Sequence, residues 1–291
     1  MKTGKSLQQL AIEIERQREA KRDFTADSRA ITLLPPHDDV PLRVALDGTR
    51  EEAVGPTFGL GAVFHEQLAA RTKIPKPYYD RMLAESPALL AGNANHWLHA
   101  EPVKHLVRTL DGDARALLSS SFRPLDHDQM LEAVLPAVQA HAGIQVLSCE
   151  VTERRLYLQF VSPRLEGEVK KGDVVQAGIT VRNSEVGAGR MVVEGLLYRL
   201  ACLNGMVIGE GFKKAHLGRR AEGMSEGAEQ YFKSDTLRLS DAALFAQVRD
   251  TVAGLLTEEA FGRTLERMQL AASVKIEADL AKTVEVTAAR L

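Results

Sequence analysis

Cysteine is nearly absent: Cys149 and Cys202 are the two in 291 residues, far apart and each in an apolar run. That excludes a disulfide framework or a CxxC zinc site and leaves reduced thiols in a core. Long hydrophobic runs are missing too. No segment approaches the roughly 18 apolar residues that span a bilayer, and MKTGKSLQQLAIEIERQ is too charged for a signal peptide. A cytoplasmic protein without membrane contact is expected. No sign of charge dominates: 37 Lys and Arg face 39 Asp and Glu, a net charge of −2. The molecule as a whole therefore attracts neither nucleic acid nor an anionic membrane, and any such binding has to come from a local patch. Gly187-x-Gly189 lacks the third glycine and the Lys-Ser/Thr of a phosphate cradle. Ser184, His127 and Asp126 are triad residue types, but no Gly-x-Ser-x-Gly elbow accompanies them. No cofactor is implied, and there is no internal repeat.

What is present is the composition of a soluble globular chain, 45% apolar and 26% charged. Residues 6–21 mix Leu7, Leu10, Ile12 and Ile14 with charge, predicting an exposed, loosely tethered amphipathic helix. A strand at 30–34 and a hairpin through 42–46 and Asp47-Gly48 follow. From residue 57 the pattern turns helical. The stretch 69–82 has the outline of a helix-turn-helix, but Pro75 and Pro77 stand where a reading helix would begin, so a packed helical hairpin is expected. The third helix of this region carries Trp97 beside His96 and His99; with His105 nearby, no acid or thiol completes a metal set. Hairpin strands at 103–119 turn at Asp111-Gly112, and Asp126 caps a helix over 128–141. Strands follow at 144–151 and 155–161, then an exposed loop over 166–173. Helices close the chain after residue 225.

The most informative stretch is 174–216. Its first run alternates as a strand, turns through Asn183-Ser184-Glu185 and re-enters an apolar run from Met191 to Leu203 carrying Arg190, Glu194, Arg199 and Cys202. Charges inside an apolar element are costly unless paired or used. Cys202 reads as a buried, inert thiol rather than a partner of His216. Beyond the run, residues 212–220 hold Lys213, Lys214, Arg219 and Arg220 with His216 and Phe212, in a glycine-flanked loop. Cations neutralise phosphates and an aromatic face stacks bases. Arg182, Arg190 and Arg199 would enlarge the patch if they shared its groove. Asn183, Glu185, Asn204 and Arg123 are the candidates for lining a pocket.

Four motifs occur in order: Arg115-Ala-Leu-Leu-Ser-Ser-Ser-Phe-Arg123-Pro-Leu-Asp126-His127, Asn183-Ser-Glu185-Val-Gly187, Tyr198-Arg199-Leu-Ala-Cys202-Leu-Asn204-Gly205 and Lys214-Ala-His216. Over residues 103–220 this resembles the domain of unknown function 932 family of phage- and plasmid-associated proteins. Leu203 stands where that family has Gln, and Glu185-Val186-Gly187 where it often has His-Asp-Gly, so a role for that His-Asp pair does not transfer. The resemblance implies a mobile-element setting and assigns no chemistry.

The expectation is an α+β protein: an antiparallel sheet with a packed helix in the centre, flanked by N-terminal and C-terminal helical segments, divided as 1–100, 101–222 and 223–291. It would bind DNA, in one version single-stranded DNA during annealing or protection, without covalent chemistry and as a homo-oligomer. The site would comprise Arg182, Arg190, Arg199, Phe212, Lys213, Lys214, His216, Arg219 and Arg220. The alternatives are an enzyme acting on a nucleotide or other phosphorylated ligand, and a phage structural or host-interaction protein working through its helical flanks.

Overall fold

The structure, a computed structural model, describes residues 4, 6–46, 55–200, 204–216 and 234–273. It is α+β, built on two sheets. The chain opens with α1 (Leu7–Ala20), capped by a Ser6–Gln9 capping box. Strands β1 (Arg22–Asp27), β2 (Ile31–Leu34), β3 (Arg43–Leu46) and β4 (Thr57–Leu60) lead to helices α2 (Ala62–Arg71), α3 (Lys76–Glu85) and α4 (Pro87–Ala100). The hairpin β5 (Lys104–Leu110) and β6 (Asp113–Ser119) completes a six-stranded sheet of order β1-β5-β6-β4-β3-β2, antiparallel except where β4 runs parallel to β6. Its turn has positive φ at both Asp111 (53°) and Gly112 (85°), as a two-residue hairpin matched to strand twist requires. Phe64, Leu68, Tyr79 and Leu90 of the helices pack on Ile31, Val44, Val107 and Leu117 of this sheet.

The second half begins with α5 (His127–Gln139), where Asp126 holds the N-cap position and its N–H donates to Gln129 Oε1 at 3.3 Å. Strands β7 (Gln145–Val151), β8 (Leu156–Glu168), β9 (Val174–Asn183), β10 (Met191–Arg199) and β11 (Asn204–Lys214) form an antiparallel meander. α5 and α6 (Ser234–Leu255) share a core with one face of it, through Met130, Val134, Val248, Phe160, Ile179 and Val193, while Phe261 of α7 (Glu258–Ser273) joins a smaller cluster around Val175 and Leu197.

Several expectations are corrected. The sheet of β1–β6 spans the boundary expected at residue 100, because β5 pairs with β1 and β6 with β4. α1 is firmly docked: Leu10 and Ile14 are buried in the second core. The charged segment Arg22–Asp27 is a strand, and β8 runs through the loop expected at 166. Residues 212–214 belong to strand β11 rather than a loop. α6 and α7 turn Leu244, Val248, Val252 and Phe261 inward and leave Leu239 and Leu270 exposed. The Asp47-Gly48 turn and Cys202 lie outside the described residues.

Candidate functional site

The two sheets meet at a seam of buried charge. Arg108 of β5 is wholly buried: Nε donates to Asp23 at 2.9 Å, one terminal nitrogen to the Glu185 carbonyl at 3.0 Å and the other to Asp126 at 2.7 Å. Arg115 of β6 donates to Glu185 Oε2 at 2.6 Å. Lys21, in the link between α1 and β1, places Nζ 2.8 Å from both Asp126 and Asp128 and 3.5 Å from Glu185. Three cations thus face four carboxylates drawn from β1, α5 and the β9–β10 turn. A buried ion pair repays its desolvation only when its geometry and remaining hydrogen bonds are good.

The Asn183–Gly189 turn reaches from the second sheet into the first. Val186 packs with Val63, Leu106 and Leu118, and its carbonyl accepts from Gln67 Nε2 at 2.8 Å. Gly187 has φ +74°, and a Cβ there would lie 2.8 Å from Leu118. Glycine is needed both for the backbone and for the close approach.

His127 is buried below this turn. Asn183 Nδ2 donates to the Leu125 carbonyl at 2.8 Å and lies 3.1 Å from His127 Nδ1. The amide nitrogen is a donor, so Nδ1 accepts and the neutral ring carries its hydrogen on Nε2. Burial pushes the His127 pKa down to about 4. Glu185 accepts from the His127 backbone N–H at 2.7 Å. Burial alone would raise the Glu185 pKa, but the imidazole when protonated and the charges of Arg115, Lys21 and Arg108 hold it well below the usual carboxylate range. Burial likewise works against the Lys21 ammonium, and Glu185 and Asp126 outweigh it, raising its pKa.

A cavity of about 340 Å³ opens above Arg115, His127 and Glu185, walled by α1 and the β5–β6 and β7–β8 turns. Its floor is poorly suited to proton transfer. Glu185 stays ionised and His127 stays neutral, and neither is poised to exchange a proton near pH 7. Oxygens of Asp126, Asp128 and Glu185 lie within 4.8 Å of one another, a spacing that could hold a metal ion, and the Lys21 ammonium already supplies a cation there. The seam is best understood as an electrostatic joint between the sheets.

The expected surface residues divide. Register puts Arg182 of β9 and Lys213 of β11 opposite Val192, in one cross-strand row with Tyr157. Both ion-pair with Glu194, Lys213 at 2.5 Å. Burial would raise the Glu194 pKa; hydrogen bonds from Lys213 and Arg182 lower it instead. Arg190 and Lys214 are exposed at the same end of the sheet, without an acid partner among the described residues. Arg155 is there as well, lying against Gly189 and donating to the Ala188 carbonyl at 3.0 Å.

Arg199 does not join them. It stands at the other end of β10, about 26 Å from Met191 at roughly 3.3 Å per residue, bound to Asp173 at 2.9 Å. Phe212 packs against the core, and His216 is buried, stacked on Phe122 with centroids 5.0 Å apart. Arg123 is tied to Asp241 at 2.6 Å and pairs with His216 through the backbone. Asn183 and Glu185 meet at the seam, whereas Asn204 opens β11 opposite Arg199. Arg219 and Arg220 lie outside the described residues.

Reading the sequence missed Lys21 and Arg108. Arg108 gave little signal, because β5 reads Lys-His-Leu-Val-Arg-Thr-Leu and the arginine is one of several polar residues in it. No family model matches the sequence, and no curated protein or solved structure is significantly similar to it.

Proposed function

We propose that the protein binds nucleic acid, single-stranded by preference, through non-covalent contacts at the end of the second sheet where Arg155, Arg182, Arg190, Lys213 and Lys214 gather. The observation that carries this reading is the sharing of one carboxylate, Glu194, by two cations, with Arg155 and Arg190 at the same end and Lys214 next along the strand on its other face, none of the three with an acid partner among the described residues. A molecule of net charge −2 thereby gains a local positive surplus, and local surplus is what neutralises phosphates. Tyr157, half-buried in the same row as Arg182 and Lys213, adds an aromatic ring. The resemblance to phage- and plasmid-associated proteins supports a mobile-element setting for such binding. Against the enzymatic alternative stands the separation of its expected lining, Asn183 and Glu185 at the seam and Arg199 and Asn204 at the other end of β10.

Arg190→Gln with Lys214→Gln tests the reading, because both residues are exposed and Glu194 keeps its partners. Anisotropy of a labelled single-stranded oligonucleotide should show binding that weakens steeply with salt. The double variant should bind about tenfold more weakly, with a slope of log K against log salt reduced by about 1.4, or about 0.7 for each lost phosphate contact. Wild-type affinity and slope in the variant, or no binding by the wild type at low salt, would overturn it.

A further inference from the structure

On the first sheet's helical side lies a second hollow, of about 680 Å³, between the α2–α3 turn, the last turns of α4 and the start of β5. Its volume falls in the range of sites for nucleotide-sized ligands. Two large aromatic side chains on its wall remain in solvent, Trp97 at 54% exposure and Tyr78 at 47%. The indole is held in place, its N–H donating to Asn93 Oδ1 one helical turn earlier at 2.9 Å. Packing in the folded chain therefore leaves both rings uncovered and orients at least one of them.

Cations outnumber acids on the lining, Arg71 and Lys73 against Glu101. Arg71 and Lys73 are exposed and have no acid partner among the described residues, whereas the nearby Lys76 and Arg81 are paired with Asp80 and Glu85. The carboxyl end of α2 accounts for a cation at Arg71, but not for a second one at Lys73 or for the rings. At the back of the hollow His105 is 3% exposed, and its Nδ1 has no hydrogen-bond partner. Buried polar atoms are paired as a rule, and an orphan calls for a partner. Burial first, and the Arg71 charge second, push the His105 pKa down against a backbone hydrogen bond with Leu118, so the ring is neutral and has an acceptor as well as a donor nitrogen.

We propose that this hollow captures a nucleobase together with its phosphate, Trp97 and Tyr78 contacting the faces of the base while Arg71 and Lys73 neutralise the phosphate. Glu101, the one carboxylate on the lining, is an acceptor for a base N–H such as N3–H of thymine. Base–aromatic stacking tolerates any sequence because every base has a π-face. The moiety could belong to a free nucleotide or to a nucleic-acid strand. The strand version rests on the function proposed above; the free-nucleotide version does not.

Trp97 is the only tryptophan in the chain, so its emission, excited at the red edge to avoid tyrosine, reports this hollow alone. The intact protein is titrated with thymidine 5′-monophosphate, a short oligothymidylate, ribose 5-phosphate and inorganic phosphate. Saturable quenching by the mononucleotide is expected, with none from ribose phosphate or phosphate. Arg71→Ala with Lys73→Ala should weaken it by about an order of magnitude. Quenching by the oligonucleotide alone would assign the moiety to a strand. No saturable quenching by either, or quenching indifferent to both Arg71→Ala/Lys73→Ala and Tyr78→Ala, would overturn the proposal. Strand binding at the sheet end would then stand or fall on its own anisotropy result.

Discussion

Glu185→Ala is expected to destabilise the protein by about 3–5 kcal/mol, the range for removing one partner of a buried ion pair. The substitution takes the acceptor from Arg115 and from the His127 backbone N–H, and withdraws a carboxylate from Lys21. All these groups are in a seam that water enters poorly, so they cannot recover solvation cheaply. Glu185→Gln keeps an acceptor while losing the charge, and should fall between alanine and wild type. Asp128→Asn, at the more open side of the network, should cost less than either. Urea midpoints measured for the three variants give the order. A midpoint for Glu185→Ala within about 0.5 kcal/mol of wild type, the level of an ordinary surface change, would show that the seam does not hold the sheets together.

Mild acid should act on the same seam. His127 has a folded pKa near 4, below its ordinary 6.5. Between those values the unfolded chain binds more protons than the folded one, so stability falls as pH drops from about 6.5 toward 4. Glu185, whose folded pKa is depressed below 4.5, contributes stability that is complete above that value and lost as pH falls further. The two effects have the same sign and follow one another. At about 1.4 kcal/mol per unit, His127 alone accounts for at most on the order of 3 kcal/mol. Burial also lowers the pKa of His65, His105 and His216, adding to the slope in the same direction. Urea unfolding at a series of pH values should therefore show a steep acid limb. His127→Gln, which keeps an acceptor for Asn183 but cannot titrate, should flatten its upper part. A variant limb as steep as that of wild type would remove His127 as the cause.

Much of the local architecture was legible in the residues. Asp111-Gly112 marked the hairpin of β5 and β6, Asp126 the start of α5, and the alternation of Val175, Ala177, Ile179 and Val181 the strand β9. These are short-range signals, carried by turn chemistry, capping and periodicity within a dozen residues. β1 escaped because the apolar face of Arg-Asp-Phe-Thr-Ala-Asp is only Phe24 and Ala26, set among charges. It is a strand because β5 supplies its hydrogen bonds and Arg108 receives its Asp23. α1 looked solvent-exposed because charged residues are spread through its second half, yet burying Leu10 and Ile14 and binding Lys21 into the seam is enough to dock it.

The candidate site was legible by residue type but not by partner. Arg182, Arg199 and Lys213 stood out as cations near an apolar run, and nothing in their order says that two of them would share Glu194 while the third would meet Asp173. Similarly, the partners Arg108 and Asp23 are 85 residues apart, and Arg115 and Glu185 are 70. By itself the sequence determined the α+β class, the hairpins, the capped helix and the near-balance of charge, because each follows from neighbours along the chain. Tertiary structure alone decided which charges cancel and which remain to meet a ligand. Coulomb attraction depends on distance in space and on exclusion of water, and both exist only after the two sheets have closed on each other.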